Sequence, residues 1–140
     1  MINEQWIKWE PIKNLAPKYY IESITDSREG FSILLFDANN REKKVLVSFP
    51  NSVESYRSID ESFVLNSLYK LNQNYGRDFY GDWTFFIIEN SEYLDWLSTE
   101  SYKISEKYKL IHYCLLSADS RFDIINNVAP EVTHINAEKH

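Results

Sequence analysis

The chain is poor in the residues that staple a fold, cradle a phosphate or hold a metal. A single cysteine, Cys114, stands among 140 residues, so no internal disulfide can form, and the usage suits a reducing compartment. With only three glycines there is no GxxxxGK[ST] or GxGxxG loop to wrap a phosphate, which disfavours nucleotide enzymes. GxSxG and HExxH are absent as well, and the common hydrolase signatures go with them. No apolar run approaches the roughly eighteen residues that cross a bilayer. The N-terminus is broken by Glu4, Lys8, Glu10 and Lys13 where a secretory signal would be apolar, so a cytoplasmic protein is expected.

Basic residues are also scarce: fifteen Lys and Arg stand against twenty-one Asp and Glu, a formal charge of −6. That sign is wrong for general binding to nucleic acid or to an anionic membrane, and it leaves a cationic protein partner or plain solubility. What the chain has in quantity is apolar and aromatic side chains, 44% and 16% of its residues. This is enough for one domain to bury a core without staples, so residues 1–140 read as a single domain with a polar tail from about residue 136 that should fray.

Strand patterns open the chain at 18–25, 30–38 and 44–49, parted by the turn-forming "DSREG" and "DANNRE". In the second of these Phe31, Ile33 and Leu35 alternate with Leu34 and Phe36, which predicts a central strand covered on both faces. "SIDE" at 58–61 fits a capping box and predicts a helix over about 59–74, striped by Val64, Leu68, Leu71 and Tyr75 and stopped by Gly76. A strand at 83–89, a short helix at 90–101 capped by Asn90 or Ser91, a hairpin from 108–118 and 121–126, and a short edge strand at 131–135 complete the order. The expected class is α+β: one antiparallel sheet of about five to seven strands with two helices packed on it, and Trp83, Phe85 and Leu68 in the core between the sheet and the longer helix.

Few residues suggest chemistry. His112 and Cys114 would share a strand face with Leu110 and Leu116, which favours a core position with the imidazole hydrogen-bonded over a nucleophile and base. The other histidines, His134 and His140, do not set out four zinc ligands at recognisable spacings, so no metal and no cofactor are expected. Carboxylate pairs for acid and base catalysis meet in space, not in sequence, and twenty-one acidic residues would produce such pairs by chance.

One stretch stands out. Residues 78–102, "DFYGDWTFFIIENSEYLDWLSTESY", hold eight aromatic residues and six carboxylates with no Lys or Arg. The strand within it needs its aromatics for the core. A two- to three-turn helix with one apolar side cannot also hide Glu92, Asp95 and Trp96. Asp78, Asp82, Glu89, Glu92, Tyr93, Asp95, Trp96 and Glu100 are therefore the candidate partner-binding residues: aromatic anchors within a carboxylate rim that suits a cationic partner.

"IENSEYLDWLSTES" followed by "LIHYCLLSADSRFDIINNVAPEV" resembles the C-terminal half of small bacterial immunity proteins found beside polymorphic or contact-dependent toxins, over about residues 83–132. The resemblance implies a cytoplasmic protein that blocks a toxin domain by stoichiometric binding and carries no catalytic residues. A housekeeping protein-interaction module and a small enzyme are the alternatives. Sequence leaves the partner and the oligomeric state open.

Overall fold

The computed structural model describes residues 4–136. In chain order its strands are β1 (Gln5–Lys8), β2 (Tyr19–Ser27), β3 (Gly30–Asp37), β4 (Asn40–Phe49), β5 (Ser55–Asp60), β6 (Phe85–Glu89), β7 (Ile111–Leu116), β8 (Ser120–Asn126) and β9 (Glu131–Asn136). The helices are α1 (Leu65–Tyr75), α2 (Arg77–Gly81) and α3 (Glu92–Glu100). The strands form two antiparallel sheets, β2-β3-β4-β9 and β1-β6-β7-β8-β5. The single sheet with two helices expected from sequence is thus replaced by a mostly β architecture of nine strands. Its layers are the four-stranded sheet, the five-stranded sheet, and the helices on the far side of the latter.

The meander β2-β3-β4 follows the sequence pattern closely. Asp37 accepts from the Asn39 backbone N–H at 2.8 Å, an Asx turn that closes the β3–β4 hairpin. Gly30 opens β3 at φ 141°, and a Cβ there would meet the Phe49 carbonyl oxygen at 2.7 Å, so glycine is required. Phe31, Ile33 and Leu35 point inward and are buried. Leu34 and Phe36, expected to be covered as well, are only half-buried, and Tyr20 stacks on Phe36 at 5.4 Å. The helices pack on the other sheet instead.

Two strands escaped the sequence pattern. β1 is four residues long, too short for a period to register. Residues 55–60, read partly as loop and partly as the start of a helix, pair with β8 from Ser55↔Ile125 to Asp60↔Ser120. The unfilled edge of β8 outweighs the capping box. The cap at this point is Asp60, whose carboxylate accepts from Ser62 N–H at 2.9 Å to start a short 3₁₀ turn, and α1 begins only at Leu65. Gly76 does end α1, with φ 91°.

The main core lies between the sheets. Phe31, Phe49, Tyr19 and Val47 from one meet Phe85, Tyr113, Leu115, Phe122 and Ile124 from the other, with Phe31 stacked on Phe122 at 6.1 Å. Phe85 was expected under the longer helix. It faces the four-stranded sheet instead, because the odd positions of β6 point that way. A second, smaller cluster of Trp6, Phe86, Ile88, Cys114 and Leu116 takes Leu68 and Leu71 of α1 and Phe79 of α2. Among the described residues no helix is long and apolar enough to cross a membrane. Of the polar tail expected from about residue 136, Asn136 ends β9 and residues 137–140 lie outside the described residues.

Candidate functional site

Strand alternation decides what the helix-covered face of the five-stranded sheet carries. In β7 and β8, Tyr113, Leu115, Phe122 and Ile124 turn toward the other sheet, so His112, Cys114, Arg121 and Asp123 turn toward the helices. Arg57 of β5 lies opposite Asp123 and joins them.

Asp123 is the centre of this group and is fully buried. His112 Nε2 lies 2.7 Å from its Oδ1, and Arg57 Nε and Arg121 Nε donate to Oδ2 at 2.9 and 3.0 Å. Burial alone would push its carboxyl up. The hydrogen bond from His112 and the positive charges of Arg121 and Arg57 outweigh that, and hold it well below the usual carboxylate range. Each guanidinium also lies over an aromatic ring, Arg57 over Tyr93 at 4.2 Å and Arg121 over Trp6 at 5.1 Å. Arg121 further donates from Nη1 to the Ser67 hydroxyl on α1 at 3.1 Å.

The chain continues through the imidazole. His112 Nδ1 is 2.6 Å from Ser91 Oγ, and that hydroxyl caps α3 by accepting from Leu94 N–H at 3.0 Å. Ser91, His112 and Asp123 thus stand in the order of a nucleophile, a base and its orienting acid. All three are buried, and the Ser91 hydroxyl is engaged on both sides. The arrangement ties the start of α3 to β7 and β8. Tyr93, two residues further along, closes it by a hydrogen bond between its hydroxyl and that of Ser55. Cys114 beside this group is wholly buried, and burial pushes its thiol well up, away from thiolate chemistry. His134 sits on β9 in the other sheet, where its Nε2 lies 2.7 Å from the Lys13 carbonyl oxygen. Among the described residues no three His, Cys, Asp or Glu side chains gather to hold a metal ion.

Above the arginines lies a cleft of about 700 Å³ between α1 and α3, walled by Trp6, Arg57, Lys70, Tyr75, Tyr93 and Trp96. Glu4 and Glu92 also line it, and the Glu4 carboxylate accepts from the Glu92 backbone N–H at 2.8 Å.

The partner-binding candidates fall into separate places. Asp78 lies on α2 and Asp82 directly follows it, both exposed. Glu89 is at the opposite end of β6 from Asp82, seven residues or roughly 20 Å along the strand direction, so the carboxylates do not form one patch. Glu92, Tyr93, Asp95, Trp96 and Glu100 are together on α3. Of these Tyr93 is buried beneath Arg57, Glu92 and Trp96 face the cleft, and Asp95 and Glu100 are exposed.

α3 exposes Trp96, and the chain beyond it exposes Tyr102, Ile104 and Tyr108, with Tyr102 91% accessible. Tyr102 and Lys103 have φ of 52° and 67°, left-handed backbone that a bulky side chain adopts only under constraint. Arg57, Arg121 and Asp123 were not singled out from sequence. The signal was present in "SRFDIIN", where charges at alternate positions of an otherwise apolar strand had to share one covered face. No protein-family model, curated protein or solved structure matches the chain.

Proposed function

We propose that the protein is an immunity-type binding protein of the bacterial cytoplasm, which neutralises a toxin domain by stoichiometric binding through α3 and the turn after it. The observation that carries this reading is the exposed apolar set Trp96, Tyr102, Ile104 and Tyr108 on α3 and the turn after it, where Tyr102 and Lys103 hold left-handed backbone and Glu92, Asp95, Glu100 and Glu106 lie in the same stretch of chain. Tyr and Trp are the residues that anchor interfaces, and rigid presentation lowers the ordering cost of binding. The N-terminus of α3 is fixed to the sheet through Ser91, His112 and Asp123, so the surface is preformed. On α3 itself Glu92, Asp95 and Glu100 stand without a Lys or Arg and favour a cationic partner, as does the net charge of −6, whereas Lys103, Lys107 and Lys109 alternate with the apolar side chains of the turn beyond. The resemblance of residues 83–132 to toxin-immunity proteins supplies the partner class.

The test is binding to the product of the neighbouring gene. Trp96→Ala should weaken the complex by about 2 kcal/mol, roughly thirtyfold. A Glu92→Lys, Asp95→Lys, Glu100→Lys variant should lose most of the salt dependence of the association rate. Equal binding by all three proteins at low and high salt would move the partner surface off α3. Capture of a different cytoplasmic protein by the same surface would favour a housekeeping interaction module.

A further inference from the structure

We propose that the cleft between α1 and α3 is a carboxylate-binding site with Arg57 as its receptor. An acidic chain has brought two guanidiniums to the floor of one cavity, and the way they are held leaves one of them available. Asp123 engages Arg57 through Nε alone. Among the described residues Nη1 and Nη2 of Arg57 have no hydrogen-bond partner, and its side chain is 41% exposed. The guanidinium lies over the Tyr93 ring, its Cζ 4.2 Å from the ring centre, so the ring on one side and Asp123 at Nε restrict its position. A planar fork of donors, oriented in advance, is the complement of a carboxylate and binds it through two parallel hydrogen bonds. Arg121, by contrast, is committed to Asp123 and Ser67 and is nearly buried.

Charge narrows the ligand further. Arg57 and Arg121 against Asp123 leave one positive charge on the floor where the free Arg57 donors lie, so a carboxylate bound there meets the positive end of a cleft whose charges balance overall. Lys70 adds to it at the wall, while Glu4 and Glu92 stand at the same cleft and disfavour a doubly charged phosphate. Trp6, Tyr75 and Trp96 provide aromatic wall for the body that bears the carboxylate, and about 700 Å³ is a volume typical of small-molecule sites. Stability does not call for the arrangement, since buried ion pairs are commonly replaced by apolar residues without loss. The carboxylate has two possible sources, a small planar acid or an Asp or Glu side chain inserted by a protein partner. The inference stands independently of whether α3 meets a toxin.

The experiment is a titration of the full chain followed by NMR of the arginine guanidinium and tryptophan indole N–H groups. The probes are benzoate for a free acid, N-acetyl-aspartate amide for a side chain, and inorganic phosphate. Saturable shifts at Arg57 and at Trp6 or Trp96 with benzoate or with the aspartate probe are expected, and the stronger of the two names the source. Phosphate should bind roughly tenfold more weakly, and Arg57→Gln should weaken the carboxylate by about tenfold or more. Asp123 keeps His112 and Arg121 in that variant, so it should fold. Should it not, Lys70→Gln on the exposed face of α1 is the second variant, expected to weaken binding severalfold. The proposal is overturned if neither carboxylate gives a saturable shift in the millimolar range, if phosphate binds as well, or if Arg57→Gln, once folded, binds like the wild type.

Discussion

The two faces of the five-stranded sheet are made from the same strands and do different work. Toward the four-stranded sheet β6, β7 and β8 present Phe85, Tyr113, Leu115, Phe122 and Ile124, all apolar in character and all buried. Toward the helices the intervening positions present His112, Arg121 and Asp123, equally buried but polar or charged. A period of two lets one strand serve both faces without compromise. The inter-sheet face gains stability from every square ångström it removes from water. The helix face gains little net stability from its ion pairs, since desolvation consumes most of their attraction. What it gains is placement: two arginines fixed under a cleft and α3 fixed beside it.

The largest expected effect lies on the apolar face. Phe85 is fully buried and meets the rings of Trp9, Tyr19 and Trp83 at 6.1, 5.7 and 6.3 Å. Phe85→Ala should destabilise the protein by about 3 to 5 kcal/mol, read as a shift of the denaturant midpoint at unchanged slope. A smaller loss would mean that the two sheets are not the main core.

The charged face should respond differently to the loss of its centre. Asp123→Asn keeps the shape and leaves Arg121 buried without a counter-charge, which should cost roughly 3 kcal/mol at neutral pH. The contrast with Phe85 appears in acid. In the folded chain Asp123 keeps its proton off to a lower pH than in the unfolded chain, for the reasons of charge and hydrogen bonding given above. Between the two values the unfolded chain binds more protons, so stability rises with pH there and is lost as pH falls below about 4. The Asn variant should lack that part of the acid-induced loss, whereas Phe85→Ala should retain it in full. Urea titrations at several acidic pH values separate the two.

The sequence made the first face far more legible than the second. The meander 19–49, the hairpin of β7 and β8 and the position of α3 all follow from local alternation and turn chemistry, which act over a few residues. Burial of His112 with its imidazole hydrogen-bonded was readable from its neighbours on the strand. The second sheet was not, because nothing local says which strands pair. β5 is a strand only because β8 offers it an edge, and its "YRSID" carries a helix-start signal of its own. The charged floor needed that same pairing to bring Arg57 opposite Asp123, 66 residues away. Sequence grouped Asp78 and Asp82 with α3 because they are near in the chain. The length of β6 then sets them apart.

Lys18 sharpens the comparison at the seam between the two regions. It precedes β2 in the four-stranded sheet and reaches across, where its Nζ donates to the carbonyls of Tyr80 and Trp83 at 2.6 and 2.8 Å, at the junction of α2 and β6. Burial lowers its ammonium from 10.5 to about 8, against the opposing pull of Glu61, Cys114 and Asp82. In the unfolded chain the amine keeps its proton to near 10.5, so between the two values the unfolded state binds more protons and folding stability rises with pH. The gain should approach roughly 2 kcal/mol between about pH 8 and 10, reckoned at about 1.4 kcal/mol for each tenfold change in proton affinity and reduced for partial exposure to water. Cys114, Tyr19 and Tyr113, whose acids burial raises, act in the opposite direction above about pH 9 and flatten the observed profile. Lys18→Met removes the first effect and leaves the others. The difference in stability between wild type and variant should therefore grow with pH from 7.5 to 10, measured by denaturant midpoints at each pH. A difference that stayed constant would mean that Lys18 holds the seam as a charged group throughout, through its two carbonyl contacts and not through its loss of a proton.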